Sequence, residues 1–384
     1  LNWDGTDSHI LPFDGIRNNG FPGKFYRLDE ATGKVSEVFD FPTLRRYGLY
    51  GAQLLAGADG NLYIFGWASG LRKGLLRFTP EGKPLNWDGT DSHILPFDGI
   101  RNFQIRGMAL RPFAPPDELY LMVPGDYLSG KPKDVGYHVS LNVLGQDGTP
   151  KRTVIWQCFN GAVPRIDMKG NIYIADLVKP IDRSYPEFFD GKLPPPPEKA
   201  DTGDAFWYSH MYGSILKFPP EGGVIWFDKN LPKSVVGAPP AELLAKPKQP
   251  FKRHFGSNPH LTGEVQGALW TRFGYSPYSG RVIGNTSHCS CEGHGFDVDP
   301  FGRVFFPNAG QFRIEVIDTN NNPITTFGKY GNEDSGLRIK TPAIPLAWPS
   351  YVAVSDRYAY IADTINRRVV RVRLDYAAEA TASE

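Results

Sequence analysis

A chain of 384 residues is long enough to bury a large hydrophobic core. It carries 42 basic and 41 acidic side chains, so its net charge of +1 offers no basic field for nucleic acid or for an anionic membrane. No apolar run approaches the roughly 20 residues of a membrane helix, and 3 cysteines are too few for a disulfide framework. The 42 glycines and 34 prolines are typical of short strands joined by turns.

Residues 1–18, LNWDGTDSHILPFDGIRN, recur without a change at 85–102. Diverged repeats keep turn glycines and core positions rather than a whole segment, so a very recent duplication, an expression artefact or a sequence-assignment error explains the identity. A functional alternative is a repeated binding loop, because the first copy brings Asp4, Asp7 and His9 together and the second copy repeats them. The first copy follows no hairpin and is treated as a duplicate outside the fold.

A turn followed by an aromatic-rich strand recurs along the chain, and a second strand type recurs after it. The first type reads DGNLYIF at 59–65, DELYLMV at 117–123, KGNIYIAD at 169–176, GRVFFPN at 302–308 and RYAYIAD at 357–363. The second lies at 26–28, 76–78, 216–218, 314–316 and 370–372. A single four-stranded sheet of this size buries too little apolar surface to offset its ordering entropy. Such sheets repeated around a ring are the pattern of a β-propeller.

The pattern therefore predicts an all-β fold, with residues 1–384 forming one β-propeller domain of four-stranded antiparallel blades. The predicted blades lie at 51–87, 106–156, 164–228, 264–285 (degraded), 295–328 and 350–374. Six blades are expected, or seven if residues 24–40 belong to a separate blade. The last blade lacks a clear fourth strand, so we expect an N-terminal strand to complete it. That strand closes the ring and removes exposed sheet edges.

Two insertions interrupt the predicted ring, at 177–211 and 228–263. The first contains four consecutive prolines, Pro194–Pro197, which stiffen a segment into an extended spacer. The second is rich in proline and lysine and is predicted to contain a short helix from Pro240 to Ala245. Loops longer than about 15 residues are usually functional or disordered. We expect both insertions to contact other protein subunits, and plain surface loops are the alternative.

Near the C-terminus the sequence resembles a known repeat family. Pro349–Val354 reads PSYVAV and Tyr360–Val369 reads YIADTINRRV, which is similar to the P-x-x-V-A-V-D and Y-V-A-D-T-x-N-x-R patterns of NHL-repeat propellers. Ser355 stands where the family pattern often has aspartate. The stretch from Cys289 to Gly328 resembles uncharacterised exported bacterial proteins that carry NHL repeats. This resemblance implies a periplasmic or extracellular location, with a signal peptide removed before Leu1.

Histidine and cysteine side chains cluster in one window before the predicted blade at 295. The six candidate metal ligands are His254, His260, His288, Cys289, Cys291 and His294. Thiolate and imidazole bind zinc or copper, and four of them can close a tetrahedral site. A C-x-C disulfide or redox pair and ordinary structural packing are the alternatives. Cys158 stands apart and is predicted to be a buried small hydrophobe.

No catalytic residues are assigned, because no G-x-S-x-G, H-E-x-x-H or Walker motif is present. Some NHL-type propellers are lyases with a channel metal held by histidines, but here the histidines cluster in one loop window instead of one per blade. The first hypothesis is a non-catalytic interaction subunit of a larger exported assembly. The alternatives are a metal-dependent lyase or hydrolase and an accessory subunit of a cytochrome-containing redox complex. The polar residues Asp297, Asp299, Asp318, Asp363 and Asn366 are predicted to cap turns and strand ends.

Overall fold

A computed structural model gives the fold of most of the chain. It describes residues 24–40, 49–68, 74–96, 107–111, 118–124, 138–145, 150–159, 163–193, 212–227, 239–255, 258–275, 278–279, 292–293, 295–332 and 344–375. The protein is all-β, with 54% strand and 5% helix, which confirms the predicted class. It divides into a larger unit with the described residues up to 293 and a smaller unit from 295 onward. Among the described residues, no helix is long and apolar enough to cross a membrane.

The larger unit begins with a hairpin and a four-stranded antiparallel sheet. The hairpin joins β1 (Lys24–Leu28) to β2 (Val35–Asp40). The sheet has the order β3 (Leu49–Ala56), β4 (Leu62–Ala68), β5 (Gly74–Phe78) and β6 (Ile94–Pro96). It covers the predicted blade at 51–87, and β6 lies in the second copy of the repeated segment. Residues 85–96 of this copy are therefore part of the fold, whereas residues 97–102 and the first copy, residues 1–18, lie outside the described residues.

The next sheet has eight strands. Its first four strands are the meander β7 (Gly107–Ala109), β8 (Glu118–Pro124), β9 (His138–Gly145) and β10 (Pro150–Phe159). It continues through β15 (Gly223–Phe227), β17 (Asn258–Gln266), β16 (Lys248–Phe255) and β13 (Val178–Lys179). The pairing of β15 with β10 is parallel, and the other pairings are antiparallel. The meander corresponds to the predicted blade at 106–156.

A four-stranded antiparallel sheet packs beside it, in the order β11 (Arg165–Ile166), β12 (Ile172–Asp176), β14 (Gly213–Phe218) and β18 (Trp270–Tyr275). The prediction placed its fourth strand before residue 228 and gave residues 264–285 a degraded blade of their own. Instead, the chain turns at Gly267, which has a φ of 82° and lies between β17 and β18. The strands on either side of this glycine join different sheets. A further two-stranded pairing joins β19 (Tyr278–Ser279) to β20 (Glu292–Gly293).

The smaller unit contains two antiparallel sheets and one short parallel pair. The first sheet has the order β21 (Asp297–Val298), β22 (Val304–Asn308), β23 (Arg313–Ile317) and β24 (Pro323–Phe327). The second has the order β27 (Pro349–Val354), β28 (Tyr358–Asp363) and β29 (Arg368–Arg373). The parallel pair is β25 (Lys329–Tyr330) with β26 (Pro345–Leu346). The sheets coincide with the predicted blades at 295–328 and 350–374.

Consecutive sheets bury their apolar faces against each other. One cluster joins the β3–β6 sheet to the next meander through residues such as Leu75, Leu95 and Leu121. A second cluster joins the eight-stranded sheet to the β12–β14 pair, with Leu141 and Val154 against Phe218. In the smaller unit, Ile314 and Val316 share a cluster with β27–β29. Each sheet is therefore stabilised by its neighbour in the sequence, because one sheet alone leaves an apolar face in water.

Aspartate side chains fix the turns between strands, as predicted for Asp299 and Asp318. Asp299 accepts hydrogen bonds from the amides of Phe301 and Arg303, at 3.0 and 2.9 Å. Asp318 accepts bonds from the amides of Asn320 and Asn322, both at 2.8 Å. These bonds satisfy backbone donors that the turn takes out of the sheet.

Candidate functional site

The six predicted metal ligands are only partly covered by the described residues. His254 lies on β16 and His260 on β17, so the hairpin brings their backbones to neighbouring strands near its tip. His288, Cys289, Cys291 and His294 lie outside the described residues. Within the described part of the chain, no three His, Cys, Asp or Glu side chains are grouped so that they could hold a metal ion. The zinc or copper site, the C-x-C disulfide and the packing alternative all stay predictions.

Cys158 is buried on β10 within the main hydrophobic cluster, which confirms its predicted role as a small core residue. The polar residues of the NHL-like motif in the smaller unit are also structural. The carboxylate of Asp363 is fully buried and accepts bonds from the amides of Ala347 and Trp348, both at 2.9 Å. Its second oxygen accepts bonds from Asn366 at 2.6 Å and Arg368 at 3.1 Å. The motif therefore holds two loops together, and no ligand is needed to explain it.

The two predicted insertions meet in one sheet. β13 from the first insertion pairs with β16 from the second, with Val178 opposite Arg253 and Lys179 opposite Lys252. β16 then forms a hairpin with β17, and β17 pairs with β15 of the eight-stranded sheet. We call the described parts of the insertions together with β17, residues 177–193, 239–255 and 258–266, the insertion platform. Its backbone hydrogen bonds make it a continuation of the sheet, which the prediction of two separate loops did not anticipate.

An aromatic cluster supports the first insertion of the platform. The rings of Phe188 and Phe189 lie 4.5 Å apart, and the ring of the buried Tyr212 lies 5.5 and 5.6 Å from them. Tyr185 adds an edge contact with Phe189 at 6.4 Å. Arg183 forms an ion pair with Asp190 at 2.7 Å across the same turn. Edge-to-face aromatic pairs stabilise such clusters beyond the area they bury, so this segment is anchored where it leaves the sheet.

Lys179 is the most unusual polar group of the platform. Its side chain is buried, and its ammonium nitrogen donates a hydrogen bond to the carbonyl oxygen of Ser184 at 3.4 Å. Burial holds the pKa of Lys179 well below its ordinary value, and the positive charge of the neighbouring Lys252 lowers it further. Burial also lowers the pKa of Lys252, and Asp182 partly opposes that shift. The platform thus contains a lysine whose neutral form is favoured by its surroundings.

The second insertion of the platform is firmly held at one point and exposed beyond it. The predicted short helix is present as α1 (Ala241–Leu244), and its Leu243 packs in a buried cluster with Trp156 and Val224. The side chain of Gln266 donates hydrogen bonds to the carbonyls of Leu244 and Lys246, at 3.1 and 3.0 Å. Residues 244–250, which we call the exposed segment, all face solvent. Lys248 in this segment forms a surface ion pair with Glu264 at 2.7 Å.

Sequence reasoning missed the buried lysine and the hairpin that covers it. The stretch from Pro250 to Phe255, PFKRHF, has aromatic residues separated by basic ones, which is a strand-like pattern inside a segment that proline content marked as a loop. That pattern was the available signal for β16. No comparable sequence signal marks Lys179 as buried, because its burial follows from pairing with residues far along the chain.

Comparison with known proteins adds little. No family model and no curated protein matches the sequence. Among solved structures, the fold is similar to an auxiliary nutrient binding protein from Bacteroides thetaiotaomicron, with a TM-score of 0.43 and 12% sequence identity. The match covers 91% of this chain and 64% of that one. A likeness at this level carries no argument about function, so the functional case depends on the geometry of the chain itself.

Proposed function

We propose that this protein is a non-catalytic, NHL-type β-propeller that acts as an interaction subunit of a larger exported assembly. Its blades would include the four antiparallel sheets of three or four strands and the β7–β10 meander of the eight-stranded sheet. The ring would have six blades, or seven if residues 24–40 belong to a separate blade, and an N-terminal strand would close it. The packing of consecutive sheets face to face supports this arrangement. The exported location follows from the NHL resemblance.

The observation that carries the proposal is the exposed segment, residues 244–250. It is solvent-facing throughout, yet Gln266 and the buried Leu243 fix its start on the sheet. A segment held in one conformation loses less entropy when a partner binds it, and so gives more of its contact energy to affinity. Leu244 is 42% exposed, and Lys246 and Lys248 follow it in the exposed segment, so the segment offers an apolar contact with basic neighbours. The proposed partner surface is therefore apolar with acidic groups around it.

Photo-cross-linking tests this function. Benzoylphenylalanine is placed at Gln249 in the exposed segment, and at Glu81 in an exposed turn as a matched control. In an extract of the source organism, we expect the first chain to form one discrete conjugate and the control chain to form none. Unlabelled chain should compete with the conjugate, whereas chain carrying Leu244→Asp and Lys248→Glu should not.

These two changes should cost little stability, because both sites are exposed and the Lys248–Glu264 pair that is lost lies in solvent, where such pairs contribute roughly 0–1 kcal/mol. A chain that migrates as a monomer in its native extract and forms no specific conjugate contradicts the proposed function. So does a conjugate that forms equally from both labelled positions.

A further inference from the structure

Two lysines face each other across neighbouring strands of the insertion platform. Lys179 on β13 lies directly opposite Lys252 on β16 in an antiparallel pairing. Directly opposite residues share one face of the sheet, with their Cβ atoms about 4.5–5.5 Å apart, and like charges in that arrangement destabilise each other. Two ammonium groups are therefore unfavourable here, and the pair is relieved when one amine is neutral or carries a negative group.

The face that carries these lysines is turned away from the main hydrophobic cluster. Val178 and Phe251, which precede the two lysines in sequence, both belong to that cluster. Successive side chains of a strand point to opposite faces, so Lys179 and Lys252 lie on the other face. The carbonyl oxygen of Ser184, in the segment after β13, lies over this face and accepts a hydrogen bond from Nζ of Lys179 at 3.4 Å.

The two amines differ in their surroundings. Lys179 is 2% exposed, whereas Lys252 is half-buried. Burial and the charge of Lys252 hold the pKa of Lys179 well below its ordinary value. A lysine becomes an activated nucleophile when it is desolvated or when it lies beside another cation, and Lys179 meets both conditions. Its nitrogen therefore keeps a lone pair at a pH at which exposed lysines are protonated.

The charge that acts on Lys252 from the acidic side is that of Asp182, which partly opposes the lowering of the Lys252 pKa. Asp182 is exposed, so water and salt screen its charge. A negative group bonded to Nζ of Lys179 would face Lys252 on the same side of the sheet and would be screened less. The pair of lysines thus has the chemistry to form an anion on one amine and to hold it with the other.

We propose that the amine of Lys179 is a carbamylation site that adds carbon dioxide, and that the resulting carbamate pairs with the ammonium group of Lys252. The lone pair of Nζ forms a bond to the carbon of CO₂, the electrons of one C=O π bond move to its oxygen, and one proton leaves the nitrogen for water. Amine and CO₂ thus give a carbamate anion and a proton, with no oxidant or reductant. CO₂ is small and uncharged, so it can enter a site that disfavours ions.

The charges favour CO₂ over an aldehyde as the reagent. An aldehyde would convert the amine into an imine, which is neutral or positively charged and leaves Lys252 without a counter-ion on the opposite strand. A carbamate is negative, so it turns a repulsive cross-strand pair into an attractive one. Its nitrogen keeps one N–H group, which can still donate to the carbonyl of Ser184.

This inference goes beyond the proposed function and needs no partner at the exposed segment, because its test uses the purified full-length chain. The chain is incubated at mildly alkaline pH with isotopically labelled bicarbonate, which supplies dissolved CO₂. Carbon NMR detects the carbamate, a trialkyloxonium salt then traps it as a stable ester, and peptide mass spectrometry locates the label. We expect label on Lys179 at least roughly tenfold above that on the exposed Lys192, because each unit by which a lysine pKa falls raises the neutral fraction about tenfold.

Two variants test the pairing. Lys252→Met should lower the label on Lys179 by roughly threefold to fivefold, because the carbamate loses its counter-ion and the amine loses the neighbour that favours its neutral form. Lys192→Met, at an exposed site of the same insertion, is the matched control and should leave the label unchanged.

The mapping in the parent chain stands whether or not a variant folds. A parent chain without a carbamate signal overturns the proposal, as does label spread evenly over exposed lysines. Label on Lys179 that is unchanged in folded Lys252→Met also overturns it, because the carbamate would then not depend on the opposite strand.

Discussion

Two sheets of the larger unit place the same kinds of side chain in one row but obtain their fourth strand differently. In the β3–β6 sheet, Tyr63 lies opposite Arg77, and Trp87 packs 5.8 Å from the tyrosine ring. In the β11–β12–β14–β18 sheet, Tyr173 lies opposite Lys217, and Trp270 packs 5.9 Å from the tyrosine ring. In each row a leucine amide bonds to the carbonyl of the basic residue, Leu85 at 3.0 Å and Leu269 at 2.7 Å.

The difference lies in the path of the chain between the third and fourth strands. In the first sheet the chain leaves β5 at Phe78 and enters the fourth strand after one turn and one loop. In the other it leaves β14 at Phe218, builds β15, α1, β16 and β17, and returns at Trp270. Both sheets nevertheless place a tyrosine, a basic residue and a tryptophan side by side in one row. A long excursion costs little extra closure entropy, so cross-strand packing rather than sequence distance selects the fourth strand.

The largest expected effect concerns the turns that follow the third strands. Gly82 and Gly222 both have positive φ, 80° and 86°, and both donate to the first residue of their turn, at 2.9 and 2.8 Å. A Cβ on Gly222 would lie 1.6 Å from the carbonyl oxygen of Val154, which is backbone and cannot move aside. We expect Gly222→Ala to destabilise the protein by more than about 4 kcal/mol. Gly82→Ala should cost roughly 1–2 kcal/mol, the left-handed penalty for an L-residue.

Urea unfolding of both variants measures this difference. Equal losses for the two alanines contradict the tight approach of the Gly222 turn to β10. If Gly222→Ala yields no folded protein, the same comparison is made in the presence of a stabilising osmolyte, where the order of the two variants should persist.

The second expected effect compares the tryptophans. Trp87 is 1% exposed, and its indole N–H has two carbonyl acceptors, whereas Trp270 is only half-buried. We expect Trp87→Ala to cost about 3–5 kcal/mol in free energy of unfolding. Trp270→Ala should cost roughly 1–2 kcal/mol, because less of its apolar surface leaves water on folding. Thermal and urea unfolding of the two alanine variants measures which loss of stability is larger. Trp87→Phe and Trp270→Phe, which keep an aromatic ring, are the controls. A larger loss at Trp270 would contradict the role given to Trp87.

The sequence alone predicted the sheets whose strands follow one another along the chain. The turns around Asp299 and Asp318 and the alternation in Arg313–Ile317 are local signals, and the β21–β24 meander follows from them. The same local signals place the β3–β6 sheet and the strands β27–β29. Period-2 alternation and turn residues identify a strand and its hairpin partner.

They do not identify a partner that is distant in sequence. The parallel pairing of β15 with β10 and the recruitment of β18 to β14 depend on which faces pack together, and no local pattern records that. The insertion platform was missed for the same reason, since β13 and β16 come from two separate insertions. Of the predicted metal ligands, the backbones of His254 and His260 are described, and they lie on one hairpin. The burial of Lys179 depends on this long-range pairing, so it was not foreseen.

The smallest expected effect tests whether the excursion between β14 and β18 folds as one unit with its sheet. Lys179 lies on β13, which pairs with β16 of this excursion, and its side chain is buried. Burial holds the pKa of Lys179 well below the ordinary value of 10.5, which the unfolded chain retains. Below pH 10.5 the unfolded chain therefore binds a proton at this position that the folded chain resists. Between the lowered pKa of the folded chain and 10.5, this one group should therefore make the free energy of unfolding rise with pH.

Replacing this lysine by an apolar residue of similar length removes the contribution. Lys179→Met should be at least as stable as the parent at pH 6, and its advantage should shrink as the pH rises towards 9, because the parent then gains stability that the variant cannot gain. Lys192→Met, at an exposed site of the same insertion, controls for the loss of one positive charge. Urea unfolding at pH 6, 7.5 and 9 separates the two variants. A pH dependence that is the same in the parent and in Lys179→Met would contradict the lowered pKa of Lys179, and with it the folding of the excursion as one unit with its sheet.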